Sequence, residues 1–148
     1  MPLLITLLGL VFNGVNTVIN GAWLFLLENR SDPAWLTDPR FILGLALFAV
    51  GMSVNLVSDN HLLALRSRGH GYQVPSHPLF RHVSCPNYLG EIIEWLGFAL
   101  AAWTLPGIVF AGFTAANLVP RAVAHHRWYH EKFPDYPRER RAIFPFLW

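Results

Sequence analysis

The chain has 148 residues, of which 53% are apolar and only 14% charged, well below the roughly 25% charge usual in soluble domains. A net charge of +2, with no basic run interleaved with aromatics, makes no case for a nucleic-acid partner. The single cysteine, Cys85, excludes an internal disulfide. Six Trp and eleven Phe suit lipid contact and the membrane interface instead.

This length predicts one domain, and the hydropathy pattern predicts an all-α integral membrane bundle of about four transmembrane helices. The first apolar stretch runs from Pro2 to Leu27 without a charge; the first basic residue is Arg30, so the charged n-region of a cleavable signal peptide is missing. The second runs from Phe41 to Val57 and continues as a polar helical extension to about Arg66. The third covers Tyr88 to Trp103. Pro106 fits the first position of a fourth helix, which runs to about Phe133 with a kink expected at Pro120. No stretch alternates at period two, and open strand edges cannot face lipid.

Basic residues set the expected orientation. The loop from Glu28 to Arg40 balances two arginines against three acids, whereas the loop from Arg66 to Val83 has Arg66, Arg68 and Arg81 and no acid. Six of the eleven basic residues follow from Arg121 onward. The positive-inside rule then places both termini in the cytoplasm, in the endoplasmic reticulum of a eukaryote or the inner membrane of a bacterium.

Polar residues inside these helices fall into stripes. Asn13, Asn16 and Asn20 share one face of the first helix, and Asn55, Asp59 and Arg66 one face of the second. Asn87, Glu91 and Glu94 open the third, and Asn117, Arg121, His125 and Tyr129 follow strict four-residue spacing on the fourth. An acid in hydrocarbon costs about 2.5–3.5 kcal/mol on insertion scales, so Asp59 and Glu91 should face a partner or a wet cavity. The expectation is that four stripes converge on one polar pocket at the basic end. Against it stands a purely structural role, since Asn and Ser often only bond neighbouring membrane helices. The first stripe is open to either account, Glu94 suits an ion pair near the interface, and Arg66, Arg68 and Arg121 suit topology as well as an anion.

His126 and His130 have the one-turn spacing of zinc ligands, but the Glu of an HExxH motif is absent and Arg127 lies between them, so no metal is expected. Gly69-His70-Gly71 lacks a third glycine and a preceding strand, which removes a Rossmann nucleotide site.

The runs HPLFRHVSCPNYLGEIIEWLGFALAAWTLPG and RAVAHHRWYHEKFPDYPRERRAIFPFLW resemble the C-terminal region of the steroid 5α-reductases, and WLTDPRFILGLALFAVGMSVNLVSDNHLLALR resembles the span before it. The likeness covers nearly the whole chain, more weakly before about Trp35. It implies the last four helices of a seven-helix fold and NADPH-dependent reduction of a double bond conjugated to a ketone, as in a 3-oxo-Δ4-steroid. The positions it implies for cofactor binding are Asn55, Asp59, Arg66, Tyr72, Asn87, Glu91, Arg121, His125 and Tyr129. In that family an acid and a tyrosine on earlier helices polarise the ketone; no residue here matches them, so catalytic residues are unassigned and a truncated or partial form is expected. The implied partners are a small hydrophobic enone and the bilayer. Enoyl-CoA and polyprenol reductases, isoprenylcysteine-type membrane methyltransferases and a merely structural helical fragment are the competing readings.

Overall fold

The computed structural model describes residues 2–28, 32–67 and 71–145. Arg68, Gly69 and His70 of the basic loop and the final three residues lie outside them.

Helix α1 spans Pro2–Ala22 and runs into a π-helical turn, Trp23–Leu27. Glu28 ends it: its backbone N–H donates to the Trp23 carbonyl at 3.0 Å while its carboxylate accepts from the Trp23 indole at 2.9 Å. A 3-10 turn at Pro33–Thr37 follows, capped by the Asp32 carboxylate, which accepts from the Ala34 N–H at 2.9 Å. Helix α2 covers Pro39–Ser67. Its 29 residues extend about 43 Å at 1.5 Å per residue, longer than a hydrocarbon core of about 30 Å. The expected span and its polar extension are therefore one helix.

Helix α3 (Pro86–Ala102) and helix α4 (Leu105–Lys132) meet at a two-residue corner. Trp103 takes a left-handed conformation there, with φ 49°, and its N–H bonds the Ala99 carbonyl at 2.9 Å. Thr104 then caps α4 by accepting from the Gly107 N–H at 3.2 Å. Capping by Thr104 starts α4 at Leu105, one residue before the start expected at Pro106. The helix continues through Pro120, which has no N–H to donate to the carbonyl one turn earlier.

Packing of α2 against α3 rests on glycines spaced seven apart on each helix. Gly51 faces Gly90 and Gly44 faces Gly97. A methyl group built on Gly51 would lie 2.6 Å from the Gly90 carbonyl oxygen, and one on Gly90 would lie 2.7 Å from that of Gly51. The same reciprocal approach holds for Gly44 and Gly97, at 2.6 and 2.7 Å. Backbones this close draw dispersion energy from direct contact, the main source of attraction between helices in lipid.

Leu3–Leu27, Pro39–Ser67 and Leu105–Lys132 are long and apolar enough to cross a membrane. Helix α3, with 17 residues, is at the short limit of a span. Among the described residues there is no strand, only a single parallel bridge between Val83 and Arg141. That bridge returns the C-terminal segment to the start of α3. Ser84 and Cys85 donate to the carbonyls of Arg141 and Ala142 at 2.8 and 3.2 Å, and Arg141 donates to that of His82 at 2.9 Å. Ile143 is thereby buried with Cys85, Ile92, Leu118 and Ala122. Burial pushes the Cys85 thiol up to about 12.

Candidate functional site

Where α2 and α4 end and α3 begins, the bundle opens into a cavity of about 740 Å³. Helix α2 supplies Asp59, Arg66 and an apolar strip of Leu62, Leu63 and Leu65. Asn87 and Tyr88 come from the first turn of α3, and His125, Trp128 and Tyr129 from α4. Gly71, Tyr72 and Gln73 close one side, and Ser84 and Cys85 the base.

Six of the nine residues implied by the resemblance meet in this wall: Asp59, Arg66, Tyr72, Asn87, His125 and Tyr129. Asp59 accepts from the Asn87 side-chain amide at 3.0 Å, and the Asn55 amide donates to the Asn87 backbone carbonyl at 3.1 Å. The α2 and α3 stripes are thus joined by two bonds across the glycine seam. His125 Nε2 lies 3.3 Å from the Tyr88 hydroxyl. Tyr72 sets its ring edge-on to Trp128 with centroids 5.0 Å apart.

Asn55, Glu91 and Arg121 are not in the wall. Each sits one helical turn further into the bundle than a wall residue: Asn55 before Asp59, Glu91 beyond Asn87, Arg121 before His125. Of the three, Asn55 is tied to the wall through its bond to the Asn87 carbonyl, and Arg121 is exposed. Asn117, a further turn in, spends its amide on the Phe113 carbonyl of its own helix at 2.9 Å.

The expected convergence of four stripes is corrected to three. Asn13 bonds the Gly9 carbonyl at 2.9 Å, and Asn20 bonds the Asn16 carbonyl and side-chain oxygen, both at 3.0 Å. These amide N–H groups are spent on α1 itself, while Asn20 Oδ1 is buried without a hydrogen-bond partner among the described residues. The helix touches α4 through Phe12, whose ring lies 5.9 and 5.6 Å from those of Phe110 and Phe113, and contributes nothing to the cavity wall.

Ser84, Tyr88, Gln73 and Trp128 are wall residues that the stripes did not reveal. Tyr88 and Trp128 each flank a stripe residue by one position. A helix face opposite a cavity is wider than one row of side chains, so the neighbouring row held the missing signal. Nothing local marks Ser84 or Gln73, whose places depend on the loop path. His126 and His130, weighed above for metal spacing, pack their rings T-shaped at 4.6 Å, and His126 Nδ1 lies 2.6 Å from Ser84 Oγ.

Fold and site together define an α-helical membrane protein with a partly polar cavity between three of its helices. The chain matches the family described as 3-oxo-5-alpha-steroid 4-dehydrogenase over residues 1–148, and it belongs to that family. It is 47% identical over 148 residues to the steroid 5-alpha-reductase DET2 of Solanum lycopersicum, covering 99% of this chain and 57% of that protein. It is 45% identical to the 3-oxo-5-alpha-steroid 4-dehydrogenase 1 of Bos taurus, with the same coverage of 99% and 57%. Similarity to 3-oxo-5-alpha-steroid 4-dehydrogenase 2 of Homo sapiens is 45% over 147 residues, 99% of this chain and 58% of that one. The chain therefore spans a little over half the length of these relatives.

Proposed function

We propose that this chain forms the cofactor-binding part of an NADPH-dependent reductase acting on the 4,5 double bond of a 3-oxo-Δ4-steroid or a similar enone. The observation that carries this reading is the Asp59–Asn87 pair set opposite His125, Tyr129 and the Tyr72–Trp128 edge in one cavity. Its volume of about 740 Å³ falls within the roughly 300–1,000 Å³ of small-molecule sites.

The residue chemistry fits the nucleotide. Asp59 and Asn87 offer acceptors and donors for ribose hydroxyls or a carboxamide. Arg66 matches phosphate oxygens through its planar fork. Tyr72, Trp128 and Tyr129 present faces and edges for a flat ring, and the leucines of α2 keep that side dry. When bound, NADPH supplies the hydride. The chain's own residues hold and orient the nucleotide and exclude water. Asn55 holds Asn87 through its backbone carbonyl, and Glu91 and Arg121, one turn from the wall on their helices, complete the set of nine cofactor-binding positions. None of these residues is assigned to polarising the substrate ketone.

The basic residues support a topology in which the cavity opens to the cytoplasm and both termini face it. A cytoplasm-specific reporter at Trp148 should be active, and the same reporter in the loop at Pro33 silent; the reverse pattern would overturn the orientation.

The test is titration of the purified chain in detergent with NADPH, NADH and S-adenosylmethionine. Saturable NADPH binding at least about tenfold tighter than NADH is expected, given the roughly 1.5–3 kcal/mol of a charge-assisted bond to the 2′-phosphate. Equal affinity for the two nucleotides, or binding of S-adenosylmethionine alone, contradicts it.

A further inference from the structure

Tyr129 is held in the cavity wall by a structure that no single helix supplies. Its ring stacks on that of Tyr136, with centroids 5.1 Å apart and planes 13° from parallel. Tyr136 belongs to the C-terminal segment and is buried, with 3% of its surface exposed. Its hydroxyl lies 2.7 Å from Ser84 Oγ, which lies 2.6 Å from His126 Nδ1. Ser84 is equally buried, and its backbone N–H is fixed on the Arg141 carbonyl at 2.8 Å.

The arrangement over-determines one ring. Ser84 has one proton and two lone pairs for two short contacts, so it donates to one of these neighbours at most and accepts from at least the other. The Tyr136 and His130 rings meet T-shaped, with centroids 4.9 Å apart and planes at 75°. The Arg140 guanidinium lies 5.2 Å from the Tyr136 ring centre and donates to the Pro75 carbonyl at 2.9 Å. Stacking alone lets a ring slide and turn in its plane. A hydroxyl anchored at the far end removes that freedom, and the neighbour stacked on it inherits the constraint.

We infer that Ser84, His126 and Tyr136 form a buried clasp that positions Tyr129, making the C-terminal segment a working part of the site although Tyr136 is outside the cavity wall. This deepens the cofactor-binding reading and rests on it for its effect on nucleotide affinity. Tyr136→Phe removes one hydroxyl and keeps the stacked ring; Ser84→Ala removes the central link. Tyr129→Phe removes the hydroxyl that the clasp orients.

A double-mutant cycle on the NADPH dissociation constant separates positioning from general support. Tyr136→Phe should weaken binding about fivefold in the native background, the scale of one hydrogen bond. In the Tyr129→Phe background it should weaken binding less than about twofold, because the oriented hydroxyl has gone. A merely structural role predicts the same factor in both backgrounds and overturns the inference, as does a Tyr136→Phe chain of native affinity. The second readout needs no nucleotide: carbon-13 tyrosine spectra of the cofactor-free chain in detergent. Ser84→Ala and Tyr136→Phe should each shift or broaden the Tyr129 ring signal. An unchanged Tyr129 signal in both overturns the clasp whatever the nucleotide result. A native chain that binds no NADPH, yet shows these ring changes, contradicts the cofactor reading and supports the clasp.

Discussion

Helix α1 and the assembly of α2, α3 and α4 look alike as sequence and behave differently as structure. Both are apolar helices with a polar stripe of residues three, four or seven apart. In α1 the stripe closes on its own carbonyls, and the helix leaves Leu3, Leu10 and Val18 about two-thirds exposed, at 73%, 65% and 69%. In α2 and α3 the amides cross to the neighbouring helix, because glycines bring the backbones together first. A polar stripe therefore becomes a site only where small residues bring the helices close enough to share it.

The glycines give the largest test of that contrast. Gly51→Ala should destabilise the bundle by about 2–3 kcal/mol, the upper range for overpacking, because the new methyl meets backbone on the opposite helix. Gly14→Ala in α1, where nothing beyond the helix's own adjacent backbone lies within 4 Å of the new methyl, should leave stability unchanged or raise it by up to about 1 kcal/mol. Thermal unfolding of the two variants in one detergent checks this. Equal losses would remove the glycine seam as the distinction between the regions.

Polar substitutions give the next effect. Asp59→Ala should weaken NADPH binding by about 1.5–3 kcal/mol, the usual value of a hydrogen bond to a charged group, while Asn13→Ala leaves the affinity as it was. Calorimetric titration compares them directly, and a loss of affinity in the α1 variant would return the fourth stripe to the site.

The smallest expected change concerns Cys85. With its thiol pushed up to about 12, it stays protonated near neutral pH and presents almost no thiolate to an alkylating reagent. Maleimide should therefore modify it only after the chain is unfolded. Rapid labelling of the folded protein would show that the base of the cavity is looser than the bridge at Val83 and Arg141 implies.

Much of this was legible in the residues. Helix bounds followed from apolar runs and from Pro106, with α3 starting at Pro86 where Tyr88 was expected and α4 at Leu105, and six of the nine positions carried over by motif line one cavity. The glycine seam was also present as Gly44 and Gly51 against Gly90 and Gly97, but heptad spacing of a small residue looks like absence of signal until the partner helix is known. The C-terminal segment read as a basic tail, since its bridge to Val83 crosses 58 residues of chain and leaves no local periodicity. Trp103 gave no hint of its left-handed φ, because a bulky residue there is held by the corner and not by its own preference. That α1 stays out of the cavity wall was illegible for the same reason that its stripe was visible: spacing reports a face and not what the face meets.

The central claim is that the cavity between α2, α3 and α4 is where the nucleotide sits, and protection from labelling tests it most directly. Cys85 is buried and protonated, so a cysteine introduced at Gln73, in the cavity wall, or at Ser76, exposed on the same loop and off the wall, reports alone. Saturating NADPH should slow modification of Gln73→Cys at least about tenfold, as expected when a ligand covers most of a concave site, and leave Ser76→Cys at its native rate. Equal rates at Gln73→Cys with and without NADPH, in a chain that demonstrably binds it, would place the nucleotide elsewhere and contradict the account.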